Sequence, residues 1–185
     1  ENSASESGGG LYSNNDVITM KGVSFESNQA TDGGGAYLKD IKSASVIGAG
    51  TDEVVFDSNS AGHGGGLYIE SSIAVTLTNI NIAENTATLK GGGIFIDDST
   101  ATITLVTSTF HKNKASSPEQ GGGGAIAAAV VNSLDITGCT FTENTASYGG
   151  GCYFAHTSSV HLIKPIFTNN GASIGNAIRS GGAIY

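Results

Sequence analysis

Gly62-His63-Gly64 sets an imidazole between two glycines, and Asp97-Asp98 sets two carboxylates side by side. An imidazole with paired carboxylates is the equipment of general acid–base chemistry, including cleavage of glycosidic bonds. The competing reading is plainer: Asp97-Asp98 follows a strand as a solvated turn, and His63 sits in a variable link. Asp52, Glu53 and Asp57 form the densest acidic group, and a hard cation such as calcium prefers several oxygens. The alternative there is an acidic loop. The four histidines, His63, His111, His156 and His161, show no zinc spacing, so no metal site is expected. Gly48-Ala49-Gly50 lacks the third glycine and the helix of a dinucleotide loop, so no cofactor is expected either. The single arginine, Arg179, is far in sequence from the acids. Cys139 and Cys152 read as buried thiols used as small apolar residues, with a disulfide as the alternative.

The elements that must position these groups come from a repeated phrase. Phe-x-x-Asn-x-Ala begins at Phe25, Phe56, Phe110, Phe141 and Phe167, and at Ile82 with Ile replacing Phe. Each copy is followed by a glycine cluster, counted from Gly33, Gly64, Gly91, Gly121, Gly149 and Gly181, after an opening cluster at Gly8. The steps are 25, 31, 27, 30, 28 and 32 residues. After each cluster come a short apolar-aromatic piece, a polar turn, an alternating strand such as Ile103-Thr104-Leu105, and the next phrase. A period of this length marks a solenoid, in which every strand pairs with its equivalent above and below. The sequence therefore predicts an all-β chain, a solenoid of about six coils with three short strands each. At the usual strand spacing the column is roughly 29 Å tall.

Strand alternation assigns the faces. Phe25, Phe56, Ile82, Phe110, Phe141 and Phe167 point inward, together with the residues two before them, Val23, Val54, Ile80, Ser108, Cys139 and Pro165. Asn28, Asn59, Asn85, Asn113, Asn144 and Asn170 fall at a corner, where Asn tolerates left-handed backbone angles and its amide donates and accepts along a stack. The alanine of each phrase occupies a cramped site. Tyr12, Tyr37, Tyr68 and Tyr153, with Phe95 in register, form an outward aromatic strip: a contact surface, or stacking beneath a neighbouring loop. Thr19, Thr76 and Thr104 begin an outward threonine column that Asp135 and His161 interrupt, which argues against an ice-binding face. The loop around Asp52, Glu53 and Asp57 and the lengthened link at Glu119 and Gln120 are the candidate binding residues, since insertions in solenoids gather on one face.

Composition narrows the function. The formal net charge is −8, from 16 acidic and 8 basic residues, and no basic run exists. Nucleic acid is therefore not an expected partner. No apolar run reaches the ~20 residues of a membrane helix, so this segment is not expected to insert directly into a membrane. The 185 residues read as a single array, a fragment of a longer chain.

These motifs resemble the repeats of the chlamydial polymorphic membrane proteins, a family marked by paired Gly-Gly-Ala-Ile and Phe-x-x-Asn phrases. Gly181-Gly182-Ala183-Ile184 matches the first phrase, and the Phe-x-x-Asn copies match the second. The resemblance spans about residues 8–185. It implies a right-handed parallel β-helix as the fold of the six coils, and a surface-exposed autotransporter passenger, extracellular or at the cell surface, with an adhesive role. The function expected is that of a non-enzymatic scaffold for adhesion or surface assembly. Its partners would be an extracellular protein, a glycan, or further copies or coils of the same assembly. Two alternatives stand beside it: a subunit of an extracellular filament, and a carbohydrate-active β-helix enzyme. For the enzyme, the fragments Gly62-His63-Gly64 and Asp97-Asp98 are similar to polygalacturonase motifs, but two pieces of that set are missing and the order is reversed.

Overall fold

The computed structural model describes residues 2–48, 52–118 and 122–172. Glu119, Gln120, Arg179, the 49–51 loop tip and the Gly181 cluster lie outside the described residues. Within them every strand pairing is parallel, and three sheets of 10, 6 and 5 strands form the walls of a solenoid. The first sheet holds the apolar-aromatic pieces, such as Ala36–Lys39 and Leu67–Glu70, and the alternating strands, such as Ser43–Ile47 and Ala74–Thr78. In Ile94–Val106 and Ile126–Thr137 the two pieces run on as one bent strand. The second sheet holds the Phe strands, such as Val54–Asp57 and Ile80–Ala83. The third holds a short strand that the sequence reading did not separate, the piece through the alanine, seen in Ser60–His63 and Thr86–Lys90.

Each coil turns at corners where one residue adopts a left-handed backbone. Ser27, Ser58, Glu84, Lys112, Glu143 and Asn169, with φ between 52 and 56°, form one such column. This corrects the expectation that the ladder asparagines themselves take positive φ. The residue before each Asn absorbs the turn, and the Asn is left free to aim its side chain into the stack. A second corner begins each glycine cluster: Gly33, Gly64, Gly91 and Gly149 have φ of 63, 58, 65 and 53°. At Gly64 a Cβ would run into the Leu67 carbonyl, so only glycine fits.

The same corner corrects one register. The fifth cluster begins structurally at Gly123, not Gly121: Gly123 has φ +67°, and Ile126 pairs with Ile94. The run of four glycines hid the phase, because only the glycine three residues before the inward Ile feels its carbonyl. Read this way, Gly123-Gly124-Ala125-Ile126 is a second copy of the Gly-Gly-Ala-Ile phrase.

The core fills the space between the walls. Leu38, Leu67, Leu77, Ile82, Ile94, Ile103 and Ile136 are fully buried, as are Cys139 and Cys152. The two thiols are free, and burial pushes both up, Cys152 the further. They behave as apolar volume and not as nucleophiles.

Candidate functional site

The inward phenylalanines line up in register, Phe25 to Phe56 to Ile82 to Phe110 to Phe141 to Phe167. Ring centroids are 4.8 Å apart at Phe25–Phe56 and Phe110–Phe141, and 4.6 Å apart at Phe141–Phe167. Beside them runs the asparagine ladder. Each Asn donates from its backbone N–H and its Nδ2 to the Oδ1 of the Asn one coil on. The side-chain links are 3.0 Å for Asn28–Asn59, 2.9 Å for Asn59–Asn85, 3.0 Å for Asn85–Asn113 and Asn113–Asn144, and 2.9 Å for Asn144–Asn170. The remaining Nδ2 hydrogen returns to the Phe-position carbonyl of the previous coil, as in Asn113 to the Ile82 oxygen at 2.8 Å. From Asn59 to Asn144 every amide donor and acceptor is used, which burial without water requires. This wall is structural and leaves nothing to bind with.

The outer surface of the first sheet differs. Tyr37, Tyr68 and Phe95 stack in register, with centroids 4.7 Å apart at Tyr37–Tyr68 and 5.0 Å apart at Tyr68–Phe95. Although they point away from the core, the links cover them, and each is less than a tenth exposed. Ala127 follows Phe95 in register and ends the run before the half-buried Tyr153.

Two charged columns flank this floor. On the link side Asp32, His63 and Lys90 are in register. His63 Nδ1 lies 2.8 Å from Asp32 Oδ1, and its ring stacks on Phe95 at 5.1 Å. The Lys90 ammonium stands 6.0 Å over the same ring. On the strand side Lys39, Glu70 and Asp97 are in register, and Lys39 Nζ contacts Glu70 Oε1 at 3.2 Å. Burial first, and then the negative charges of Asp97, Asp32 and Asp98, raise the Glu70 carboxyl above its ordinary range, against the pull of Lys39. Burial, followed by the charge of Asp97, also pushes the Tyr68 phenol well up. At the near end the floor opens into a depression of about 550 Å³ lined by Glu6, Ser7, Tyr12, Tyr37 and Lys39.

The structure thus joins residues that the sequence reading kept apart. His63, Asp97 and the tyrosines belong to one surface, and Asp32, Lys90, Lys39 and Glu70 complete it. The only available signal was that these six charged positions fall in equivalent places of successive repeats. The acidic group does not converge. Asp52 and Glu53 are exposed ahead of the strand Val54–Asp57, Asp57 closes that strand, and Ser58 Oγ donates to Asp57 Oδ2 at 3.0 Å. Among the described residues no group of three or more His, Cys, Asp or Glu side chains could hold a metal ion. His161 lies on the outer face with Nδ1 2.7 Å from Asp135 Oδ1, in the column that Thr76 and Thr104 occupy in earlier coils.

Residues 1–133 match the family described as the right-handed β-helix region. Residues 138–155, which hold Phe141-Thr142-Glu143-Asn144 and the Gly149 cluster, match the Chlamydia polymorphic membrane protein repeat. No curated protein and no solved structure matches the chain.

Proposed function

The chain belongs to the right-handed β-helix family and carries a polymorphic-membrane-protein repeat, and from that premise we propose a non-enzymatic scaffold displayed outside the cell for adhesion or surface assembly. The observation that carries this reading is the division of the coil into two kinds of surface. The ladder side is satisfied internally and makes a stiff column. The outer side of the first sheet displays charges and aromatic edges that change from coil to coil. The contact face is the aromatic floor with its two charged columns, and its partner is an extracellular protein or a glycan. Tyr12, about half exposed, offers a ring for stacking, and Lys39 and Glu6 offer polar contacts.

A second reading, a carbohydrate-active enzyme, is favoured by one observation. Glu70 and Asp97 are cross-strand neighbours beside Lys39, and Glu70 is the one raised. Carboxylates about 5 Å apart with different protonation tendencies are the pattern of a retaining glycosidase. In the scaffold reading Glu70 is occupied by Lys39.

Beads coated with the folded protein should adhere saturably to cultured cells, and a Lys39→Ala, Lys90→Ala chain should adhere more weakly. Solutions of acidic and neutral polysaccharides should gain no new reducing ends and no unsaturated products. Absence of adhesion would overturn the scaffold reading, and polysaccharide turnover that is lost in Glu70→Gln would replace it with the enzymatic one.

A further inference from the structure

Asn170-Gly171 is the sole Asn-Gly step in the sequence, and it falls on the last described rung of the ladder. The other ladder asparagines are followed by Gln, Ser, Thr, Lys and Thr, whose side chains hinder attack by the following backbone nitrogen. Asn-Gly has no such hindrance. In a mobile chain the glycine nitrogen attacks the Asn Cγ, a C–N bond forms, the Cγ–Nδ2 bond breaks and ammonia leaves. Water then opens the succinimide at either carbonyl, giving aspartate or isoaspartate.

We propose that Asn170 is a spontaneous deamidation site that the ladder itself holds shut. Four contacts block the reaction. Gly171 N–H is committed to the Asn144 carbonyl at 2.9 Å, so its nitrogen cannot approach Cγ. Asn170 Nδ2 donates to the Phe141 carbonyl at 2.9 Å. Asn170 Oδ1 accepts from the Asn144 backbone N–H at 3.0 Å and from Asn144 Nδ2 at 2.9 Å. All of these break only when the coil opens locally, so the deamidation rate reports the opening of that coil. The product reinforces the opening. A carboxylate at 170 still accepts from Asn144, but it cannot donate to the Phe141 carbonyl, and it faces that oxygen with like charge. Isoaspartate also lengthens the backbone by one carbon and shifts the register of the rung. Asn170 is therefore a modification site at which the column ages by one irreversible step.

The test is peptide mapping by mass spectrometry of the 185-residue protein held at mildly alkaline pH, folded and in denaturant. Deamidation at Asn170 should be at least about tenfold slower in the folded protein, since it waits on local opening. Asn144→Ala removes one side-chain donor to Asn170 and should speed the folded reaction at 170. Gly171→Ala should slow it many-fold in both states while the protein folds normally, because among the described residues a Cβ at 171 meets only Thr145 Cγ2, at an ordinary 3.6 Å. Equal rates folded and denatured would overturn the proposal, as would a different asparagine reacting first in denaturant.

Discussion

The asparagine wall and the aromatic floor are both stacks in register, yet the wall is uniform and the floor is not. From Asn28 to Asn170 the wall repeats one residue type at one corner, with links of 2.9–3.0 Å. Across the same coils the floor reads Tyr37, Tyr68, Phe95, Ala127 and Tyr153, and its flanking charges reverse sign along each column. A buried amide has no substitute that donates and accepts at the same spacing, so the wall tolerates one residue. The floor touches solvent at its edges and needs only a side chain that covers its neighbour. Repetition marks what holds the column, and variation marks what the column displays.

The largest break in this contrast comes from the wall side. Phe110→Asp removes a ring stacked 4.8 Å from Phe141 and leaves a carboxylate in a dry core. Truncating such a ring costs about 3–5 kcal/mol and a stranded charge adds to it, so denaturant titration should show the neighbouring coils unfolding. Asn113→Ala comes next. It takes the Oδ1 acceptor from both the Asn85 N–H and Asn85 Nδ2 and removes one donor from the Ile82 carbonyl, a loss of about 3 kcal/mol in unfolding free energy. If Asn113→Ala melts like the parent protein, the ladder is ornament and the contrast fails.

Glycine positions sharpen the same distinction. At Gly65 a Cβ would meet the Thr86 carbonyl oxygen at 2.6 Å and press on the Gly92 carbonyl, both of them backbone. Gly65→Ala should therefore cost the ~3 kcal/mol at the upper end of overpacking. At Gly138, φ +62°, the nearest atom to a Cβ is Thr107 Cγ2 at 3.5 Å. Equivalent corners in other coils carry Asn79, Thr107 and Lys164, so Gly138→Ala should cost only the left-handed strain, about 1 kcal/mol. Thermal melts of the two variants compare them directly.

The smallest effect belongs to the floor. Glu70 has its folded pKa raised, so the folded state holds that proton more tightly than the unfolded chain does. Its contribution is fully present below the ordinary carboxyl range and is lost as pH rises through the raised value. Glu70→Gln should flatten the pH dependence of stability just above the ordinary carboxyl range. An unchanged profile would mean that Lys39 fully offsets the neighbouring acids.

Much of this architecture was legible in the sequence, for a physical reason. Phe56, Phe110 and Phe141, like the ladder asparagines, are each dictated by the copy above and below, so the stacking is written as recurrence. The left-handed corner was not legible, because Ser27, Glu84 and Lys112 share a backbone angle and no side-chain chemistry. The phase of the fifth glycine cluster was hidden by four identical neighbours, and only the pairing of Ile126 with Ile94 resolves it. The Asp32–His63 pair was missed although both residues end two-residue links, because an equivalent place in the repeat does not by itself say that two side chains meet. Asp52, Glu53 and Asp57 are close in sequence, but Asp52 and Glu53 are exposed ahead of the strand that Asp57 closes.

Native-state hydrogen exchange at the backbone amides of Asn59, Asn85 and Asn113 tests the stacked column most directly, since each donates to the Oδ1 of the next rung. The three should exchange only through opening of the coils, with protection far above that of an unstructured amide and lost together in denaturant. Exchange of all three at the rate of an unfolded chain would contradict the account.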